Sequence, residues 1–213
     1  MGMGRLLRGQ IYVFICVHLW LKGLMAVHIG IEMSRDLRLN AAGLVQAGTL
    51  EAGGVNLLRH ALTLARRITV PGLIRIMTTE SDETVLALVG EFECREGGVM
   101  QWMAELVDAA PNAAPEDAVI ILRQICPLRD DQPLRRALAA LKSSRCVVSA
   151  SGGEQVRAFE VWRLGEFGKY GFAGPMAEPP QLELSGDEFV EISRPSDFEH
   201  AGHMLASAPN QGV

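Results

Sequence analysis

An apolar run that empties into an acidic turn and then into a helix limits this chain more than any other feature. Ala118 to Leu122 has the unbroken apolar character of a buried strand, and Leu134, Leu138 and Leu141 recur at i, i+4 and i+7, the spacing of one helix face. Between them stand Arg129, Asp130, Asp131, Gln132 and Pro133. Carboxylates at a helix start accept orphan backbone N–H groups and are favoured by the macrodipole, while Pro forfeits no intrahelical bond in the first turn. Asp131 is therefore expected as the N-cap, with a loss of about 1 kcal/mol on replacement by Ala.

The flanking sequence extends the pattern. Gly72 to Thr79 and Thr84 to Glu93 are β-rich runs separated by the polar turn Glu80 to Glu83, and a helical stretch from Gly97 to Ala109 follows. Beyond the central helix, Cys146 to Ala150 reads as another buried strand. Glu154 to Gly165 reads as a last helix, although Val156, Ala158 and Trp162 would equally alternate along a strand. The expected order is strand, strand, helix, strand, helix, strand, helix.

Val85 to Glu93, Val119 to Leu134 and Cys146 to Leu164 resemble the STAS domains, the fold of the anti-sigma-factor antagonists that act by partner switching. The first stretch is similar to the family's apolar strand ending in Gly-Glu-Leu-Asp, the second to its strand, Asp-Ser-Ser-Gly-Leu turn and helix start, and the third to its last strand and helix. The resemblance implies an α/β domain with a central mixed sheet of about four strands and helices mainly on one face. It also implies a non-enzymatic interaction module whose partner is an anti-sigma-type kinase or another signalling or transport-complex protein. The partner surface would comprise Glu91, Glu93, Arg129, Asp130, Asp131, Gln132 and Leu134. Where the antagonists carry a phosphoacceptor Ser, this turn holds Asp131 and Gln132, with Pro133 in place of the usual Gly. A carboxylate supplies about one negative charge where a phosphoserine supplies roughly 1.5 to 2. The implied relative is thus unswitched, or fixed in a partly phosphorylated-like state.

No phosphate loop, dinucleotide fingerprint, zinc-protease motif or nucleophile elbow occurs, so no catalytic residue, metal or cofactor is expected. A second reading is a ligand-binding protein or an enzyme. It would use the small-residue loop Ser149, Ser151, Gly152 and Gly153 to bind an anion, with Asp130 and Asp131 alongside. A third, an accessory protein, is supported by no motif. The net charge of −5 argues against a nucleic acid partner, which calls for a basic stripe. Four cysteines without CxxC spacing read as buried thiols in a reducing, cytoplasmic setting. A homodimer is compatible with all of this.

Residues 1–36 carry the apolar run Ile11 to Leu21 ended by Lys22, too short to span a membrane unless Lys22 and His28 are buried. They are read as a hydrophobic extension, or as sequence upstream of a true start at Met25 or Met33. Residues 37–68 form a helical extension, with the firm helix at Val55 to Arg67 closed by Arg66 and Arg67. Residues 69–172 are the STAS-like domain. Residues 173–213, with seven acidic residues and one basic, are expected as an acidic, largely irregular tail with a small hairpin over Leu182 to Ser193.

Overall fold

A computed structural model describes residues 25–33, 50–78, 93–96, 98–108, 114–166 and 179–208. In chain order the elements are β1 (Val27–Glu32), β2 (Glu51–Ala52), β3 (Val55–Asn56), α1 (Leu57–Ile68), β4 (Ile74–Thr78), β5 (Glu93–Glu96) and α2 (Val99–Asp108). They continue with β6 (Ala118–Arg123), α3 (Gln132–Leu141), β7 (Cys146–Ser151), β8 (Glu154–Arg163), β9 (Gln181–Glu183) and α4 (Pro195–Ala206). The strand Thr84 to Glu93 expected from sequence lies outside the described residues except for Glu93, which opens β5.

The described strands form one sheet in the order β5-β4-β1-β6-β8-β7-β9, and β2 pairs with β3 in a separate small hairpin. β1 lies between β4 and β6 and is parallel to both, so it donates and accepts along both edges. β8 runs antiparallel between β6 and β7, and β9 adds parallel to β7. A parallel strand in the interior of a sheet must be covered on both faces, and here it is. Ile29 and Ile31 join Ile120 and Leu122 in a core shared with α1, α3 and α4, and on the other face Trp102 and Met103 of α2 pack with Val119, Ile121, Val148 and Trp162.

This architecture corrects several expectations. Among the described residues the sheet has seven strands, not about four, and α2 and α3 cover opposite faces. Residues 27–32, placed by sequence in an extension, form an interior strand of the sheet, with Ile29 and Ile31 fully buried. The segment 154–163 is a strand hairpinned to β7, not a helix. Its two-residue turn, Gly152 and Gly153, has φ of 62° and 82°, the left-handed pair that a tight hairpin needs and that only Gly adopts at no steric cost. In the tail, α4 forms and buries Ala201, Met204 and Leu205, while 182–193 gives β9 and a turn instead of a hairpin. Helix α1 matches its expected position: Asn56 accepts from the Arg59 N–H at 3.0 Å and Arg66 and Arg67 close its last turn.

Gly30 marks how tightly α2 seats on β1. A Cβ at this position would lie 2.5 Å from the Trp102 ring and 2.7 Å from the Met77 methyl group. Gly30→Ala is expected to destabilise the fold by about 1–3 kcal/mol, the usual cost of overpacking. Gly98→Ala, whose Cβ would meet nothing within 4 Å, should leave the denaturation midpoint nearly unchanged.

Candidate functional site

In an open sheet, ligands bind outside the carboxyl ends of strands at the point where strand order reverses. From β1 the chain passes outward through β4 to β5, then returns to place β6 on the opposite side of β1. The reversal therefore falls between β1 and β6, whose carboxyl ends carry Glu32 and Arg123 as register partners. The adjacent Gln124 is buried, and its N–H donates to the Glu32 carbonyl at 3.1 Å.

Side chains follow the register. Arg123 Nε donates to Glu32 Oε2 at 2.8 Å and its Nη2 to Glu160 Oε1 at 3.1 Å, so one guanidinium spans β1, β6 and β8. The second oxygen of Glu160 accepts from Trp162 Nε1 at 3.3 Å. Burial acts to lower the Arg123 pKa, but hydrogen bonding and charge from Glu32 and Glu160 outweigh it and hold the guanidinium above its ordinary value. Cys146, on β7, is free; burial first and the Glu160 charge second push its thiol up to about 11. A thiol so protonated is a poor nucleophile. Among the described residues no group of three His, Cys, Asp or Glu side chains could hold a metal ion.

The acidic turn is occupied by contacts within the chain. Asp130 Oδ1 accepts from the Gln132 N–H at 2.9 Å, whereas the Asp131 side chain makes no cap bond. Asp131 is instead buried and paired with Arg135, Oδ2 to Nη2 at 2.7 Å, and Arg135 also donates to the Arg67 carbonyl at the end of α1. Gln132 is exposed, and Leu134 is wholly buried in the larger core. Arg129 pairs with Asp187 at 2.9 Å and Arg136 with Glu188 at 2.6 Å, while the Arg129 N–H donates to the Glu188 carbonyl. His60 of α1 bonds the Leu128 carbonyl at 2.6 Å, with a pKa lowered chiefly by burial. The turn thus docks residues 185–190 of its own chain. The two arginines and their acidic partners are separated by more than fifty residues, which hides them from local sequence patterns.

The other residues singled out by sequence are dispersed. Glu91 lies outside the described residues, and Glu93 begins the far edge strand, three strands from β6. Ser149 is buried at the β7–β8 irregularity, its hydroxyl placed on the Val156 and Phe159 carbonyls and accepting from the Phe159 N–H. Ser151 ends β7 opposite Glu154. The Gly152 and Gly153 amides do meet an anion, but it is the chain's own Glu183 carboxylate.

No protein-family model matches the sequence, and no curated protein matches it by sequence. Solved structures do match the fold. A putative glucose-1-phosphate thymidylyltransferase from Bacillus anthracis superposes with a TM-score of 0.62 at 14% identity, covering 88% of this chain and 98% of that one. A 4-diphosphocytidyl-2C-methyl-D-erythritol synthase gives 0.61 at 12% identity over 85% and 99%. A Mycobacterium tuberculosis protein in complex with manganese gives 0.57 at 14% over 86% and 99%. The chain therefore shares the fold of these three structures, which overturns the STAS resemblance and, with it, the signalling role and the anti-sigma-type kinase partner drawn from it. The expectation of a non-enzymatic module falls for the same reason, since two of the three structures are named as a thymidylyltransferase and a synthase.

Two predictions follow from the turn. In a double-mutant cycle, Asp131 and Arg135 should couple by about 0.3–1 kcal/mol, while Asp130 and Arg135 should not couple measurably. The Asp187, Glu188 and Asp197 carboxyls lie below their ordinary values. For Asp187 the first cause is the Ser185 hydroxyl. For Glu188 burial acts the other way and is outweighed by Ser185 and Arg136, and for Asp197 burial is outweighed by the Ser193 and Arg194 amides. A carboxyl depressed in the folded state contributes stability above its unfolded pKa and loses it as the pH falls through the folded one. Denaturation at a series of pH values should show stability falling from about pH 5 downwards, and Glu188→Gln should make that fall shallower.

Proposed function

We propose that this chain is an enzyme of nucleotidyl transfer, binding a nucleoside triphosphate at the carboxyl ends of β1 and β6. The supporting observation is the strand order, which reverses between these two strands and opens the ligand crevice of an open sheet there. The names of the neighbours agree in chemistry: one is a thymidylyltransferase for glucose 1-phosphate and another makes a diphosphocytidyl compound. In such a reaction an acceptor phosphate oxygen bonds to the α-phosphorus of the triphosphate, and the bond to pyrophosphate breaks. Catalysis would rest largely on positioning and on neutralising the charge of the phosphates. The sequence continuing from β1 contains Arg35 and Arg38, cations of the kind such a ligand requires. A triphosphate substrate also favours a cytoplasmic location, and among the described residues no helix is long and apolar enough to cross a membrane.

Calorimetric titration with each of the four common nucleoside triphosphates tests the reading. At least one should bind with a Kd between about 1 μM and 1 mM, the usual range for enzyme substrates. Pyrophosphate should be released when a sugar 1-phosphate or a polyol phosphate is added. Failure of all four nucleotides to bind at about 1 mM would overturn it.

A further inference from the structure

One structure of this fold is a manganese complex, whereas among the described residues of this chain no group of three His, Cys, Asp or Glu side chains could hold such an ion. Among the described residues, two carboxylates at the β1–β6 reversal, Glu32 and Glu160, are both already bonded to Arg123. We propose that the guanidinium of Arg123 is the resident cation of this crevice and that it closes Glu32 and Glu160 to divalent metal ions.

Geometry and charge carry the argument. Glu32 and Arg123 are opposite each other in the parallel β1–β6 register, and Glu160 stands on β8 opposite Ile121, two positions from Arg123 along β6. The backbone ladder therefore brings the three side chains together on the face that α2 covers. Two carboxylates and a guanidinium sum to one negative charge, and without the guanidinium they would carry two, the charge a divalent cation neutralises. Nε and Nη2 each donate to a different carboxylate, a charge-assisted fork that an incoming ion would have to break twice. An arginine is never deprotonated in the working range of a protein, so no change of pH vacates the position. The Arg123 side chain is 21% exposed and Glu160 15%, so water does little to loosen that pair, while Glu32, at 34%, is the more open of the two carboxylates.

The inference concerns the same strand ends as the reading above, but its test uses manganese without nucleotide, so the two fail separately. Manganese binding is followed by the paramagnetic resonance signal of the free ion and by quenching of tryptophan fluorescence, since Trp162 donates to Glu160. The wild-type protein should show no saturable binding that depends on Glu32 below about 1 mM, the weak end of oxygen-ligand sites. Arg123→Ala should bind manganese at least about tenfold more tightly, and adding Glu32→Gln should abolish the gain. Should Arg123→Ala lose its cooperative melt, Arg123→Met preserves more of the side-chain volume and takes its place. Saturable wild-type binding that disappears in Glu32→Gln would overturn the proposal. So would a folded Arg123 variant that binds manganese no better than the wild type.

Discussion

The pairing of β1 along both of its edges is the constraint from which the remaining structure follows. Held between β4 and β6, the strand has no solvent edge, and its side chains must satisfy a core on each face. Ile29 and Ile31 do so on one face, and Gly30 does so on the other by yielding its space to Trp102. Each end is tied by ionisable groups. At the amino end His28 lies 3.5 Å from Asp117, whose carboxylate also accepts from the Ala26 and Ala114 N–H groups. At the carboxyl end Glu32 meets Arg123. The register so fixed decides which strand ends align, and so sets Glu32 beside Arg123.

Elements with strong local periodicity were legible in the sequence. The strand Ala118–Arg123, the helix Gln132–Leu141 and the helix Leu57–Ile68 all appear close to where apolar spacing and capping residues place them. β8 is ambiguous because Val156, Ala158 and Trp162 fit either period, and the adjacent Gly152–Gly153 pair, read from sequence as part of an anion-binding loop, is in fact the hairpin turn. β1 was obscured by the apolar sequence before it, although Val-His-Ile-Gly-Ile-Glu does alternate. The STAS resemblance rested on a strand, turn and helix that many α/β folds share, while the order of strands in the sheet leaves no mark on any local stretch.

The candidate site was less legible, for a related reason. Asp131 was expected to cap α3, yet its neighbour Asp130 receives the amide and Asp131 turns to Arg135, one helical turn on. Both are acceptable chemistry for a carboxylate at a helix start, and residue type alone does not choose between them. Glu32 and Arg123 are 91 residues apart in the chain and only the sheet brings them together.

The attachment of residues 181–206 bears on the order in which the protein is made. This last segment lays β9 beside β7, pins its turn to Arg129 and Arg136, and sends Leu184, Phe189, Ile192, Met204 and Leu205 into the same core that β1 entered first. During synthesis the chain emerges from its amino end, so β1 waits for β6 and the core waits for α4. A nascent or prematurely terminated chain therefore leaves unsealed the part of the core that Leu184, Phe189, Ile192, Met204 and Leu205 fill. For as long as translation of the final segment takes, that surface is available to chaperones and proteases that read exposed hydrophobic residues.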